Sequence, residues 1–324
     1  MSVRNGLEPK VLKNEELLSS FFEKTQKDGE CHPFEACRPP FVYTPKPFDT
    51  VRVRGLLCVV TIGFLLFILG CSYIIDAVCN NYITTKRGNL MKNKSKKNFI
   101  ITGALFLLFI IFTILVIKVD VQPIGPEQST VGLASLNQFM RNRLGTNLLW
   151  YDITDWLGVI AILFALGFGL LGFCQFIKRK SLLKVDYPIL LLGIFYILVV
   201  TLYLLFEFVI VNYRPIILET NLEASYPSSH AMIVTCIMST AILQFHRSFP
   251  KHKAVPVVLD SISILLIAIT VIGRLISGVH WFTDIIAGVI LSSALVMLYY
   301  SAVSAVAQKH RNAAARKKTT PISL

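Results

Sequence analysis

The sequence predicts an all-α fold, a polytopic transmembrane helical bundle with a six-helix core and one additional N-terminal span. Three observations predict it. Of 324 residues, 54% are apolar and only 16% are charged, with a mean hydropathy of +0.62, against about 25% charged residues in a soluble domain. Seven apolar runs approach the roughly 20 residues that a membrane-crossing helix needs. Lys and Arg gather in alternate loops between those runs, as they do in membrane proteins. So much apolar surface also excludes intrinsic disorder.

Residues 1–54 are polar, mixed in charge and rich in proline (Pro39, Pro40, Pro45, Pro47), and read as a loosely ordered tail. Residues 55–90 comprise an extra span, 55–78, and a basic linker. Met91, with Lys92, Lys94, Lys96 and Lys97 ahead of an apolar run, reads like a fresh amino terminus. Residues 91–324 are therefore expected to be the functional unit. Within them a six-span core, 91–305, uses the runs 99–118, 157–177, 187–211, 230–246, 254–273 and 283–305, and 306–324 is a basic tail. The run 230–246 is the least apolar, interrupted by His230, Thr235, Ser239 and Thr240. The run 254–273 carries Asp260, which must face other helices or water.

The segments 86–98, 178–184, 246–253 and 305–324 hold 18 Lys and Arg, whereas 119–156, 212–229 and 273–282 hold 4. This asymmetry places the basic loops and the C-terminus in the cytoplasm and the other loops outside a cell membrane. It also accounts for the net charge of +13, so no nucleic-acid partner is expected. The seven cysteines (Cys31, Cys37, Cys58, Cys71, Cys79, Cys174, Cys236) are scattered and form neither a disulfide framework nor a zinc-binding pattern. Whether Cys31 and Cys37 pair stays open.

Three polar clusters fall on the outer side. They are Asn212-Tyr-Arg214-Pro215, then Tyr226-Pro-Ser228-Ser229-His230, then Gly273-Arg274 followed by His280 and Asp284. Two Arg, two His, a Ser pair and an Asp converging at one membrane face suit a phosphoryl group. The guanidinium groups of Arg214 and Arg274 can grip it through charge-assisted hydrogen bonds. Ser228 and Ser229 open a helix, where hydroxyls and free N–H groups favour an anion. His280 and Asp284 stand four apart, on one face if that stretch is helical. Asp284 would then take the proton of one ring nitrogen and leave the other to attack phosphorus. His230 would protonate the leaving oxygen and later activate water.

These clusters resemble the three motifs of the type 2 phosphatidic acid phosphatase superfamily, Lys-x6-Arg-Pro, Pro-Ser-Gly-His and Ser-Arg-x5-His-x3-Asp. Arg214-Pro215 matches the end of the first, and Pro227-Ser228-Ser229-His230 the second, with Ser for Gly. Arg274, His280 and Asp284 match the third, with Gly273 for Ser. The resemblance covers about residues 91–305, matches a bacterial-type membrane member, and implies the six-helix core. It further implies His280 as nucleophile oriented by Asp284, His230 as acid–base, Arg214, Arg274 and Ser228 as phosphate ligands, and no metal or other cofactor. Where that family has its Lys, seven residues before Arg214, stands Glu207, a like charge beside a phosphate.

The outer segment carries Val131, Leu133, Leu136, Phe139, Met140 and Leu144 at the spacing of an amphipathic helix, followed by Trp150, Tyr151 and Trp156. That spacing suits a helix lying on the bilayer or one packed on the bundle. The expected function is a phosphatase for a lipid phosphate or diphosphate: polyprenyl (such as undecaprenyl) diphosphate, phosphatidic acid or phosphatidylglycerol phosphate. The partners expected are that lipid and the bilayer. The alternative is a non-catalytic lipid-phosphate binder or transporter whose site is degenerate at Glu207. A vanadate-dependent haloperoxidase shares the resemblance but is at odds with seven spans.

Overall fold

A computed structural model describes residues 92–218, 220–249 and 254–319, and everything said of the fold concerns these. The tail 1–54, the extra span 55–78, Met91, and Cys31 and Cys37 lie outside the described residues. The described chain is helical: α1 (Lys92–Lys118), α2 (Ala134–Leu144), α3 (Leu148–Arg179), α4 (Tyr187–Phe208), α5 (Ser229–Ser248), α6 (Ala254–Ser277) and α7 (Phe282–Thr319). Helices stand at all six expected core positions. α7 runs on past 305 as one helix to Thr319.

Five of these helices, α1, α3, α4, α6 and α7, are long and apolar enough to cross a membrane. Their outward faces carry large apolar side chains such as Leu170 at 64% exposure, Ile197 at 68% and Phe208 at 84%. Only lipid makes such a belt tolerable, and the chain is a multi-pass membrane protein. α7 is the inner member: 83% of its most apolar stretch is buried, against 17–22% in the other four. α5 falls short of the apolarity of a span for a related reason. It is enclosed by α3, α4, α6 and α7 and buries twelve of its twenty residues, so its polar groups meet protein instead of lipid.

Those polar groups find partners across the helices. Thr240 Oγ1 donates to its own helix at the Cys236 carbonyl, 2.8 Å away, and stands 3.2 Å from the Tyr196 hydroxyl of α4. The Gln244 amide donates to the Tyr299 hydroxyl of α7. Asp260 on α6 faces a helix partner, as a carboxylate in a membrane must: its Oδ2 lies 2.6 Å from His246 Nε2 on α5.

The outer segment forms a helix, α2, and part of its apolar set packs on the bundle, while Leu144 stays 38% exposed. Val131, Leu133 and Leu136 are at most 2% exposed, and Met140 packs on the bundle core. Asn137 donates to Thr283 Oγ1 at 2.9 Å and accepts from the Thr283 amide at 3.1 Å, both at the start of α7. Arg141 donates to the Pro215 carbonyl at 2.7 Å and lies 5.4 Å above the Trp281 ring. α2 thus clamps the loops that carry the polar clusters. Trp150, Tyr151 and Trp156 belong to the first turns of α3.

Candidate active site

After α4 the chain turns back on itself through an antiparallel bridge between Tyr213 and Ala224, closed by the Arg214 amide donating to the Glu223 carbonyl (3.0 Å) and the Ser225 amide to the Asn212 carbonyl (2.9 Å). Ser228 stands at the N-cap position of α5 without a side-chain capping bond, and its amide donates to the Asp284 carbonyl at 2.9 Å. The second and third clusters are thereby joined through backbone. Gly288 permits this approach: a Cβ there would stand 2.8 Å from the Ser228 carbonyl oxygen.

Asp284 is fully buried and its carboxylate accepts hydrogen bonds at both oxygens. Asn212 Nδ2 donates to Oδ1 at 2.9 Å, and Ser225 Oγ and the Trp281 amide donate to Oδ2 at 2.6 and 3.1 Å. The direct His280–Asp284 contact expected from their spacing is not among its bonds. α7 begins only at Phe282, so His280 lies in the preceding loop and the i,i+4 register does not apply. Asp284 instead reaches back to the amide of the N-cap residue, as the third residue of a capping box does.

Ser225 fills the gap between the two. His280 Nδ1 lies 3.0 Å from Ser225 Oγ and 3.1 Å from the Ser225 carbonyl oxygen. The carbonyl can only accept, so Nδ1 carries the ring proton, and Nε2 is left with its lone pair. Nε2 is buried without a hydrogen-bond partner. Burial, then the charges of Arg214 and Arg274, hold the His280 pKa well below the ordinary 6.5. The ring is therefore in the neutral, nucleophilic form.

Of the remaining expected residues, Arg214, Arg274 and His230 are near enough to act on the His280 ring electrostatically. Arg274 is fully buried, lies 4.8 Å over the Tyr151 ring, and donates through Nη2 to Asp155 Oδ1, while its Nε and Nη1 have no partner. Arg214 pairs with Glu223, Nε to Oε2 at 2.9 Å, and its Nη1 has no hydrogen-bond partner. Ser228 Oγ and His230 Nδ1 are likewise buried and unpartnered, and His230 Nε2 lies 3.0 Å from Asp155 Oδ1. Ser229 lines a recess shared with His280 and Glu207. Orphaned buried donors are costly, and an oxyanion set among these would satisfy them together.

Sequence reasoning assigned no role to three residues of this cluster, Ser225, Asn212 and Asp155. Asn212 opens the first cluster and Ser225 adjoins the second, but nothing in their local spacing marks a role for them. Asp155 is remote in sequence, and its place against Arg274 and His230 is set by helix packing. Gly273 stands where the family motif has Ser because α3 fills the space: a Cβ there would meet Thr154 Cγ2 at 2.5 Å and the Trp150 ring at 3.0 Å.

Residues 159–307 match the model of the PAP2 superfamily, a stretch that contains all three clusters. Among solved structures, the crystal structure of the first transmembrane PAP2-type phosphatidylglycerolphosphate phosphatase from Bacillus subtilis aligns at 19% identity. The alignment covers 61% of this chain and 94% of that one with a TM-score of 0.46. No curated protein matches the chain.

Proposed function

Residues 159–307 match the PAP2 superfamily, and we propose that the chain belongs to it and is a membrane phosphatase acting on a lipid phosphate or diphosphate. One observation carries the reading. Six buried side-chain atoms, Arg214 Nη1, Arg274 Nε and Nη1, Ser228 Oγ, His230 Nδ1 and His280 Nε2, lack partners and belong to the three clusters that the fold joins. In the proposed reaction His280 Nε2 attacks phosphorus and the bond to the lipid oxygen breaks. His230 gives that oxygen a proton, and the phosphoryl group rests on His280. Water then attacks with His230 taking its proton, and phosphate leaves. The two guanidinium groups and the start of α5 stabilise the charge on the equatorial oxygens, so the route runs without a metal. The basic-loop asymmetry supports an outward-facing site and a substrate drawn from the outer leaflet.

The test is phosphate release by purified protein in detergent, over a panel of phosphatidic acid, phosphatidylglycerol phosphate and polyprenyl diphosphate, with EDTA present. Wild type is expected to turn over at least one of them, and His280→Ala to lose at least about a thousandfold in kcat, since no other group can form the covalent intermediate. Full activity in His280→Ala, or loss of wild-type activity with EDTA, would refute the scheme. Glu207 favours a second reading, a binder without turnover, because this carboxylate shares the recess with His280 and repels phosphate. Tight lipid-phosphate binding with no phosphate release from any substrate would select it.

A further inference from the structure

We propose that Asp155, on α3 and ahead of the matched segment, is a positioning residue for this hydrolysis, holding His230 by Nε2 and tying it to Arg274. The inference rests on the phosphatase reading of the same site. A single oxygen, Asp155 Oδ1, accepts from Arg274 Nη2 and lies 3.0 Å from His230 Nε2. One carboxylate thus links the acid–base group to a phosphate-gripping side chain.

The packing of α3 is shaped to allow this. One turn after Asp155, Gly158 faces His230, where a Cβ would approach the ring Cδ2 to 3.1 Å. One residue before it, Thr154 packs into the space left by Gly273, which adjoins Arg274. Tyr151, one turn earlier, lies beneath the Arg274 guanidinium. The helices carrying His230 and Arg274 therefore both rest on the turn that carries Asp155.

The charge pattern around His230 gives the contact a role. Its charged and titratable neighbours are Arg274 from α6, Arg214 from the loop after α4, His280 from the loop before α7, and Asp155 from α3. Among the described residues, Asp155 is the one carboxylate within ion-pair distance of His230. The cations oppose a proton on the imidazole, and Asp155 favours it. An N–H donated from Nε2 to Asp155 fixes the ring so that the inward Nδ1 delivers its proton to the leaving oxygen. With that proton gone, Nδ1 holds a lone pair and Nε2 keeps its hydrogen, the tautomer needed to take a proton from water. Asp155 touches neither phosphorus nor the leaving group in this scheme.

The experiment compares full-length wild type, Asp155→Asn and Asp155→Glu in detergent on two substrates. Phosphatidic acid has a leaving group that needs a proton, and 4-nitrophenyl phosphate has one that does not. Asp155→Asn should lose about 100-fold in kcat on the lipid, the lower end of what a general acid contributes, and less than about 10-fold on the nitrophenyl ester. The alkaline limb of its pH–rate profile should move to lower pH, and Asp155→Glu should recover part of the lipid rate. Equal losses on both substrates with an unmoved pH profile would mark Asp155 as merely structural and overturn the proposal. Faster turnover in Asp155→Asn would make Asp155 a competitor of the phosphate, which also overturns it. If wild type hydrolyses nothing, the phosphatase reading fails on its own. The His230–Asp155 coupling is then decided by NMR titration of labelled histidine with inorganic phosphate present. A His230 midpoint lower in Asp155→Asn supports the contact, and an unchanged one overturns it.

Discussion

Ser225 Oγ donates to Asp284 and faces His280 Nδ1, so it links the carboxylate to the proposed nucleophile. Ser225→Ala removes that link and leaves the ring only the Ser225 carbonyl. We expect kcat to fall about 10- to 100-fold, the usual cost of losing an outer partner of a working histidine, with KM little changed. A steady-state comparison on one lipid substrate checks this, and an unaltered kcat would show the Ser225 bridge to be idle. The residue types of the site were legible in the sequence because phosphate chemistry needs Arg, His and Asp together. Their bonding was not legible. The His280–Asp284 spacing suggests a helical pair only if the helix includes both, and α7 starts two residues after His280. Asp155 and Ser225 carry no motif because their roles come from tertiary approach.

At the scale of elements, the site depends on how closely α7 meets α5. Gly288→Ala would place a Cβ 2.8 Å from the Ser228 carbonyl oxygen and 3.3 Å from Ala231 Cβ, in a contact with no flexible side chain to yield. Overpacking of this kind costs roughly 1–3 kcal/mol. The strain falls where the Ser228 amide bonds the Asp284 carbonyl, so activity should drop by more than the thermal stability does. Gly167→Ala is the control, because its Cβ would meet nothing within 4 Å and alanine suits a helix better. Melting temperatures and kcat for both variants decide it, and a fully active Gly288→Ala would show that the helix contact tolerates displacement. Five spans were readable as apolar runs, four because lipid meets most of their surface and α7 because the bundle core does. α5 was the weakest because protein encloses it, and the amphipathic pattern of α2 suited bilayer and bundle equally until Leu133 and Leu136 were seen to be buried.

For the whole molecule, apolar belt and basic loops combine into one arrangement in the bilayer. Arg214, His230, Arg274 and His280 gather at one end of the bundle, at the end of α4, the start of α5, the end of α6 and the loop before α7. The opposite end carries the basic segment 178–184 and the end of α5 with Arg247. Because charge asymmetry orients membrane proteins by the difficulty of moving Lys and Arg across, the site end should face outward. Two exposed positions report on the two ends: Asn221 in the loop after α4 and Leu183, 94% exposed, between α3 and α4. In a chain with its native cysteines replaced, Asn221→Cys should react in intact cells with an impermeant thiol reagent, and Leu183→Cys should react only after the membrane is opened. Labelling of Leu183→Cys alone in intact cells would turn the bundle over. The phosphoryl group would then have to come from the cytoplasmic leaflet, and the outer-leaflet substrate proposed for this site would be wrong even if His280 does the chemistry.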